Sequence, residues 1–397
     1  YAERKEHLHK ENVPNLRFPE FSGEWERCSL GEITTNFSRR NKEEVRYPMF
    51  SVTNNRGFVP QSEQFEDREM VGEDIKAYKI IHKNDFAYNP ARINVGSIAK
   101  YNGNEPCMIS SLYVCFTADK RLDNEWLIQL LKTPKMNFYY NINGEGGVRV
   151  YLFYPNFARI KTAFPSLQEQ QKISSFLALL DERIATQIKI IEDLKKLKSA
   201  ICDKYFTHGN SIRLGDIGSF VRGLTYSSAD IVDNNIGTAV LRSNNISNGE
   251  KVNLNELVWV NKTPAKDQLL KKNDIVICMA NGSSSLVGKN SYYSDSEITS
   301  ATIGAFCGIY RSNHPIAKWL LQSKHYKKSI HQSLQGGNGA IANVYPEDIL
   351  SICFDIPCDN HIYSDMLESL ECKLELEKSA LEKMKSLKQY LLSQMFI

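Results

Sequence analysis

The chain writes one long pattern twice. Ser29 to Ile33 reads SLGEI and Arg213 to Ile217 reads RLGDI. Lys83 to Lys100 reads KNDFAYNPARINVGSIAK, and Lys272 to Lys289 reads KNDIVICMANGSSSLVGK. Tyr154 to Pro165 reads YPNFARIKTAFP, answered by YPEDILSICFDIP from Tyr345 to Pro357, one residue longer. The matches keep their order and recur at offsets between 184 and 192 residues. Identity between the copies is low, but collinear matches at one spacing point to a duplicated module, and so long a period excludes a solenoid of short stacked repeats. At 397 residues the chain is also too long for a single core. It must hold two versions of one domain of about 150 residues.

Within each copy the pattern is mixed. DFAYN and DIVICMA read as short buried strands after a turn. SSLYVCFTA and TSATIGAFCGIYR add strands rich in β-branched and aromatic residues. NEWLIQLLKTPKMNFYYNIN and PIAKWLLQSKHYKKSIHQSL have helical apolar spacing, each just before a Gly-rich turn. Each copy is expected to be α+β.

A long helix follows each copy. The first opens PSLQEQ, where Ser166 and Glu169 have the spacing of a capping box. Apolar residues then recur at Ile173, Leu177, Leu180, Ile184, Ile188, Ile191, Leu194, Leu197 and Ile201. Their mean step is the coiled-coil period of about 3.5. Gly209, after His208, is the expected stop. A helix from Ser166 to Phe206 would be on the order of 60 Å long. The second follows PCDN, with Asp359 or Asn360 as cap, and repeats Tyr363, Leu367, Leu370, Leu374, Leu381, Met384, Leu387, Leu391 and Met395. Glu377 stands where one more apolar residue is due. Neither helix can bury its stripe alone, so the two are expected to pack antiparallel, as a spacer between two similar domains with pseudo-two-fold symmetry. The expected boundaries are residues 1–165 and 208–358 for the domains, and 166–207 and 359–397 for the helices.

Composition narrows the function. A net charge of +3 confines nucleic-acid affinity to local patches. Nine Cys without a C-x-x-C pair read as reduced thiols used as small core residues. No apolar run reaches the length of a membrane span, and the charged start YAERKEHLHKEN is not a signal peptide. GSSSLVGKN (Gly282 to Asn290) fails as a phosphate loop: five residues separate its glycines, and Asn290 stands where Ser or Thr would hold Mg²⁺. NPAR (Asn89 to Arg92) lacks the second Pro and the aromatic of an adenine-methyltransferase pocket. No metal-ligand spacing and no Ser, His and Asp set stands out. The chain is expected to be no enzyme and to bind no metal.

The polar turns suggest recognition instead. In the first copy they hold Thr53, Asn54, Asn55 and Arg56; Asn89, Arg92 and Asn94; and Gly146, Gly147, Arg149 and Tyr151. In the second they hold Arg242, Ser243, Asn244 and Asn245; Asn281, Ser283 and Ser284; and Gly336, Gly337, Asn338 and Asn343. Asn pairs bidentately with adenine and Arg with guanine, while Gly lets a backbone approach a phosphate. Arg39, Arg40, Lys83, Lys100, Arg222 and Lys289 are candidate phosphate contacts. Singly, such turns are ordinary. As matched sets with different contents on a duplicated scaffold, they favour a DNA reader with two half-sites over a tandem protein-docking scaffold.

The chain resembles the specificity subunits of type I restriction-modification systems. The likeness runs from VPNLRFPEFSGEWERCSLGEI (Val13 to Ile33), with Trp25 ahead of LGEI, to the last helix. FPSLQEQQKISSFLALLDERI (Phe164 to Ile184) carries the family's helix opening; PCDNHIYSDMLESLECKL in the second copy lacks its Glu-Gln-Gln. The resemblance implies two target-recognition domains, each reading half of a split, asymmetric DNA site. It implies paired helices that set the gap and dock two methyltransferase subunits, with two motor-endonuclease subunits joining to cleave. S-adenosylmethionine, ATP and Mg²⁺ would belong to those partners and none to this chain. It further implies a cytoplasmic, nucleoid-associated protein of bacterial defence.

Overall fold

The computed structural model describes residues 12–63, 75–146, 150–206, 209–233, 236–294, 298, 300–334 and 341–397. It divides into two compact units, Tyr1–Gln187 with Ala380–Ile397, and Ile188–Ser379. The division therefore runs through both long helices, where the sequence reading ended each domain before its helix. The reason is packing: each domain buries the nearer half of each helix in its own core.

The first unit is built on a four-stranded antiparallel sheet in the order Thr34–Phe37, Val114–Ala118, Phe86–Tyr88, Ile98–Lys100. The second repeats that order with Ser219–Arg222, Cys307–Arg311, Ile275–Cys278 and Asn290–Tyr292. Every residue of Phe86–Tyr88 and of Ile275–Cys278 is buried. A strand covered on both faces must be apolar throughout, which is why these segments lack alternation. The units differ beyond this sheet. The first adds the hairpin Phe50–Thr53 with Gly57–Pro60 and the pair Lys79–Ile81 with Cys107–Ile109. The second adds a further four-stranded sheet around Thr238–Leu241.

Two local devices explain the recurring words. In KND, Asn84 and Asn273 both take positive φ, 72° and 68°, a conformation Asn tolerates. The following Asp is buried and accepts from the amide three residues back: His82 onto Asp85 and Lys271 onto Asp274, each at 2.7 Å. A bidentate Arg neutralises each carboxylate. Arg39 reaches Asp85 with two contacts of 2.8 Å, and Arg311 reaches Asp274 at 2.8 and 2.6 Å. Arg39 follows the strand Thr34–Phe37, whereas Arg311 ends the strand Cys307–Arg311, so the electrostatic need recurs while the residue that meets it moves. In LGEI and LGDI, Gly31 lies against Ala158 and Gly215 against Leu350, so close that a Cβ on Gly31 would lie 2.9 Å from that of Ala158. The short helices Tyr154–Arg159 and Pro346–Leu350 pass there, and each leads into a strand that closes its unit: Glu26–Ser29 pairs with Lys161–Phe164, and Asn210–Arg213 with Cys353–Ile356.

Each helical stretch before a Gly-rich turn is two helices. Asn124–Leu131 and Pro134–Asn143 are separated by Thr133, whose hydroxyl caps the Met136 amide at 3.2 Å; Ser323 does the same for Tyr326 between Ala317–Leu320 and Lys324–Gln332.

The long helices are Leu167–Tyr205 and Asn360–Gln394, 39 and 35 residues, and each unit contains an antiparallel pairing of the two. In the first, Ile173 and Leu177 share a core with Leu391, Leu392, Met395 and Phe396, and Lys388 donates to Asp181 at 2.5 Å. In the second, Ile201 and Cys202 pack with Leu367, and Lys198 pairs with Glu371. The seam departs from the expected list in three places. Ile188, Leu197 and Leu387 are exposed, while Gln187 is buried and Lys198 and Lys388 turn inward. Alternating steps of three and four select Gln187 and Lys198 instead of their apolar neighbours. Glu377 is mostly buried and pairs with Lys373 at 2.7 Å.

The capping box is half formed. Ser166 Oγ accepts from the Glu169 amide at 3.4 Å, but the Glu169 carboxylate is 1% exposed and committed elsewhere. It takes Arg17 in two contacts, 2.8 and 2.7 Å, and the Trp25 indole N–H at 3.3 Å. Replacing Glu169 by Ala should strand the partly buried guanidinium, costing about 3–5 kcal/mol. Calorimetry should show the melting temperature of the first unit falling by roughly 10 °C.

Candidate nucleic-acid interface

In the first unit, three polar segments that are far apart in sequence meet at one end of the sheet. Thr53 Oγ1 accepts from the Arg56 amide and donates to the Gly57 carbonyl, both at 3.1 Å, which closes the first turn. The second, Asn89 to Gly96, is held against it: Ser97 Oγ donates to Val52 O at 2.7 Å, and Gly96, at φ 98°, lies where a Cβ would be 3.3 Å from Asn54 O. The third is tied to the second by the Leu152 amide on Pro90 O at 3.0 Å and by Asn94 on Asn141 at 3.0 Å. Glu145 and Tyr151 exchange backbone hydrogen bonds at 2.8 Å. Asn54, Asn55, Arg56, Arg92, Gly146 and Tyr151 are exposed on this edge. Arg56 pairs with Glu63 at 2.7 Å, both exposed, a contact worth little in water.

The second unit gathers its segments at the same end of the same sheet. Ala280–Asn281 pairs with Ala342–Asn343, and the Val344 amide donates to Met279 O at 3.0 Å. With the turn after Thr238–Leu241 they border a cleft of about 490 Å³, lined by Tyr226, Arg242, Ser243, Asn281, Phe306 and Ile341 among others. Arg242, Asn244, Ser283 and Ser284 are exposed, and Asn281 accepts from the Ser283 amide at 3.0 Å. Asn343 Oδ1 is buried and has no hydrogen-bond partner among the described residues. Beneath the cleft Cys278 and Cys307 oppose each other across the strands. A hydrogen bond with Cys307 holds the Cys278 thiol below its ordinary pKa against the effect of burial, and the same contact raises that of Cys307.

Several candidates have other duties. Asn245 is buried: its amide donates to Asn253 O and Asn255 O, both at 2.9 Å, and its oxygen accepts from Arg242 N, so it braces a turn. Asn89 holds the Ala91 amide at 3.0 Å. Arg39 is spent on Asp85 and lies over the Phe37 ring at 4.0 Å. The Lys100 side chain is buried and pairs with Glu125 at 2.6 Å. Lys83, exposed, donates to Asn104. Arg40 and Arg222 are exposed, and Lys289 is half-buried beside Ser284 and Lys327. Gly147, Arg149, Gly336, Gly337 and Asn338 lie outside the described residues. The segment GSSSLVGKN ends in buried Asn290, which donates to Leu321 O at 2.7 Å, and Gly288 backs onto Ile330; its amides form no open cradle. Sequence reading missed Tyr226, Phe306 and Ile341. The signal for Phe306 was its place directly after Gly304-Ala305, a tight turn between two apolar strands.

Among the described residues no group of His, Cys, Asp and Glu could hold a metal ion, and no helix is long and apolar enough to cross a membrane. Residues 23–196 match the family model described as "Type I restriction modification DNA specificity domain". The chain is 29% identical over 175 residues to the StySPI specificity subunit of Salmonella potsdam, covering 42% of this chain and 37% of that protein; it thus spans little more than a third of that relative's length. It is 23% identical over 343 residues to the MjaVIII specificity subunit of Methanocaldococcus jannaschii, covering 79% and 78%. A crystal structure of the S subunit of a type I restriction-modification system from M. genitalium superposes with a TM-score of 0.57 over 97% of this chain and 99% of that one. At 16% identity this likeness concerns the fold.

Proposed function

The chain belongs to the specificity-subunit family of type I restriction-modification systems, and from that premise we propose that it selects the DNA on which such a complex acts. One observation supports this above the others. In both units the polar turn that leaves the matching inner strand, Phe86–Tyr88 or Ile275–Cys278, is joined by polar turns from outside that sheet, yet the side chains differ: Asn54, Arg56 and Arg92 in the first, Arg242, Asn281 and Asn343 in the second. A shared scaffold with unlike contents suits the reading of two unlike half-sites. Each good bidentate base contact would contribute about 1–3 kcal/mol of discrimination. The exposed arginines 40, 92, 222 and 242 would hold phosphates or base edges, and the two helices would fix the gap between half-sites.

On this reading the chain performs no chemistry. Two methyltransferase subunits would dock on it and bring S-adenosylmethionine, and two motor-endonuclease subunits would bring ATP and Mg²⁺. The assembly would work on DNA in the cytoplasm. Binding of the purified chain to its bipartite duplex should weaken linearly in log–log form as salt rises, because phosphate contacts release counterions. Arg92→Ala and Arg242→Ala should each flatten that slope by about one if the side chain holds a phosphate, or relax one base position if it reads a base edge. Binding without salt or sequence dependence would leave a protein-docking scaffold as the better description. Methyl transfer by the chain alone would remove the non-catalytic assignment.

A further inference from the structure

Each unit displays one bulky apolar side chain at the same turn of its sheet. Phe86 and Ile275 both follow a KND turn, and they pair with Phe116 and Tyr310. Four residues before Phe116 stands Leu112, and four before Tyr310 stands Phe306. Leu112 is 78% exposed and Phe306 64%. A lone exposed apolar residue means little. Here the copies share few residues, and the turns read SSLY and GAFC, yet both put a large hydrocarbon into solvent at one register.

Both tips are braced and both lie among the polar turns. The Leu112 amide donates to Ser110 Oγ at 3.4 Å, and the next residue, Tyr113, accepts the Val52 amide on its hydroxyl at 3.2 Å, just before Thr53. The Phe306 carbonyl accepts the amides of Met279 and Ala280 at 2.9 and 3.2 Å, and its ring borders the cleft with Arg242 and Asn281. A stiff turn loses little freedom when its side chain is inserted elsewhere. Cationic and amide neighbours suit a surface whose rim is phosphate and whose interior is stacked, apolar base.

We propose that Leu112 and Phe306 are wedges, each entering between two base pairs of its own half-site and opening that step, as apolar side chains do in proteins that kink DNA. The proposal rests on the DNA-reading function given above and adds how the duplex is deformed. A step opened in each half-site would lower the work of extruding a neighbouring base for modification.

The test measures affinity of the full chain, alone and with its methyltransferase partner, for the paired bipartite duplex. A second series of duplexes carries one mispaired step moved along each half-site. Phe306→Ala should lose about ten-fold on the paired duplex and recover most of that when the mispair occupies the wedged step of the second unit's half-site. Leu112→Ala should do the same in the other half. The salt slope should be unchanged, and Phe306→Leu, which keeps apolar bulk, should retain binding. Because both side chains are exposed, truncation removes little buried area. Binding equal to the parent's overturns the wedge, as does an equal loss on every duplex, which would mark a general or assembly defect. Absence of salt-dependent, site-selective binding by the parent chain would instead remove the DNA-reading function itself.

Discussion

Replacing residues 211–356 with the matching segment of another specificity subunit should change one half of the recognised DNA sequence and leave the other half intact. The cut points fall in the strand pair that closes the second unit, where Ser211 stands opposite Asp355 and Ile212 opposite Phe354. Both strands travel together in the exchange, so their pairing stays self-consistent, while the helices keep their own sequence. The residues proposed to read the second half-site, from Arg222 to Asn343, all lie inside the exchanged segment. The methylated motif, read from the DNA of cells carrying the hybrid, is the measurement. A change in both halves would mean that the units do not read independently, and the two-reader description would fail.

Removing seven residues from each long helix, at positions matched in their antiparallel register, should shorten the unread gap by about three base pairs. Seven residues of helix rise roughly 10 Å, against 3.4 Å for each base pair of DNA. Seven is also two seam periods, so the apolar stripe returns to the same face. Deleting from one helix alone should give a poorly folded chain, because its stripe and charges would meet the wrong partners. The deleted form should lose its parent site and gain one with the same half-sites at closer spacing, scored by the motif methylated in cells. An unchanged gap would show that the helices do not set it.

The architecture was legible because its signals are long or repeated. Two copies of KND and LG[ED]I set the duplicate sheet, and the apolar spacing of about 3.5 announced the paired helices. What escaped was local and three-dimensional. Gln187 and Lys198 displaced Ile188 and Leu197 from the seam because a strict alternation of steps of three and four keeps one face, and following the apolar residues alone breaks that alternation. Glu169 looked like a helix cap, but Arg17 and Trp25, 152 and 144 residues away, claim its carboxylate. At the candidate site the segments were visible as turns rich in Asn, Gly and Arg. Their division of labour was not: Asn245 and Asn54 are the same residue type in similar words, yet one braces a buried turn and the other faces solvent. The apolar tips escaped a search for polar readers.

The charged residues in the helix seam also bear on uniqueness. Asp181 meets Lys388, and seventeen residues further along one helix and seventeen back along the other, Lys198 meets Glu371. A slip of one heptad would set Lys198 against Lys378 and Asp181 against Met395 in one direction, or against Ser364 and Leu381 in the other. Either mis-registration strands charge in a half-dry interface, whereas an all-leucine seam would tolerate it. If the paired helices measure the gap between half-sites, their graduations must stay put as well as span a length, and these ions would help to hold the zero mark.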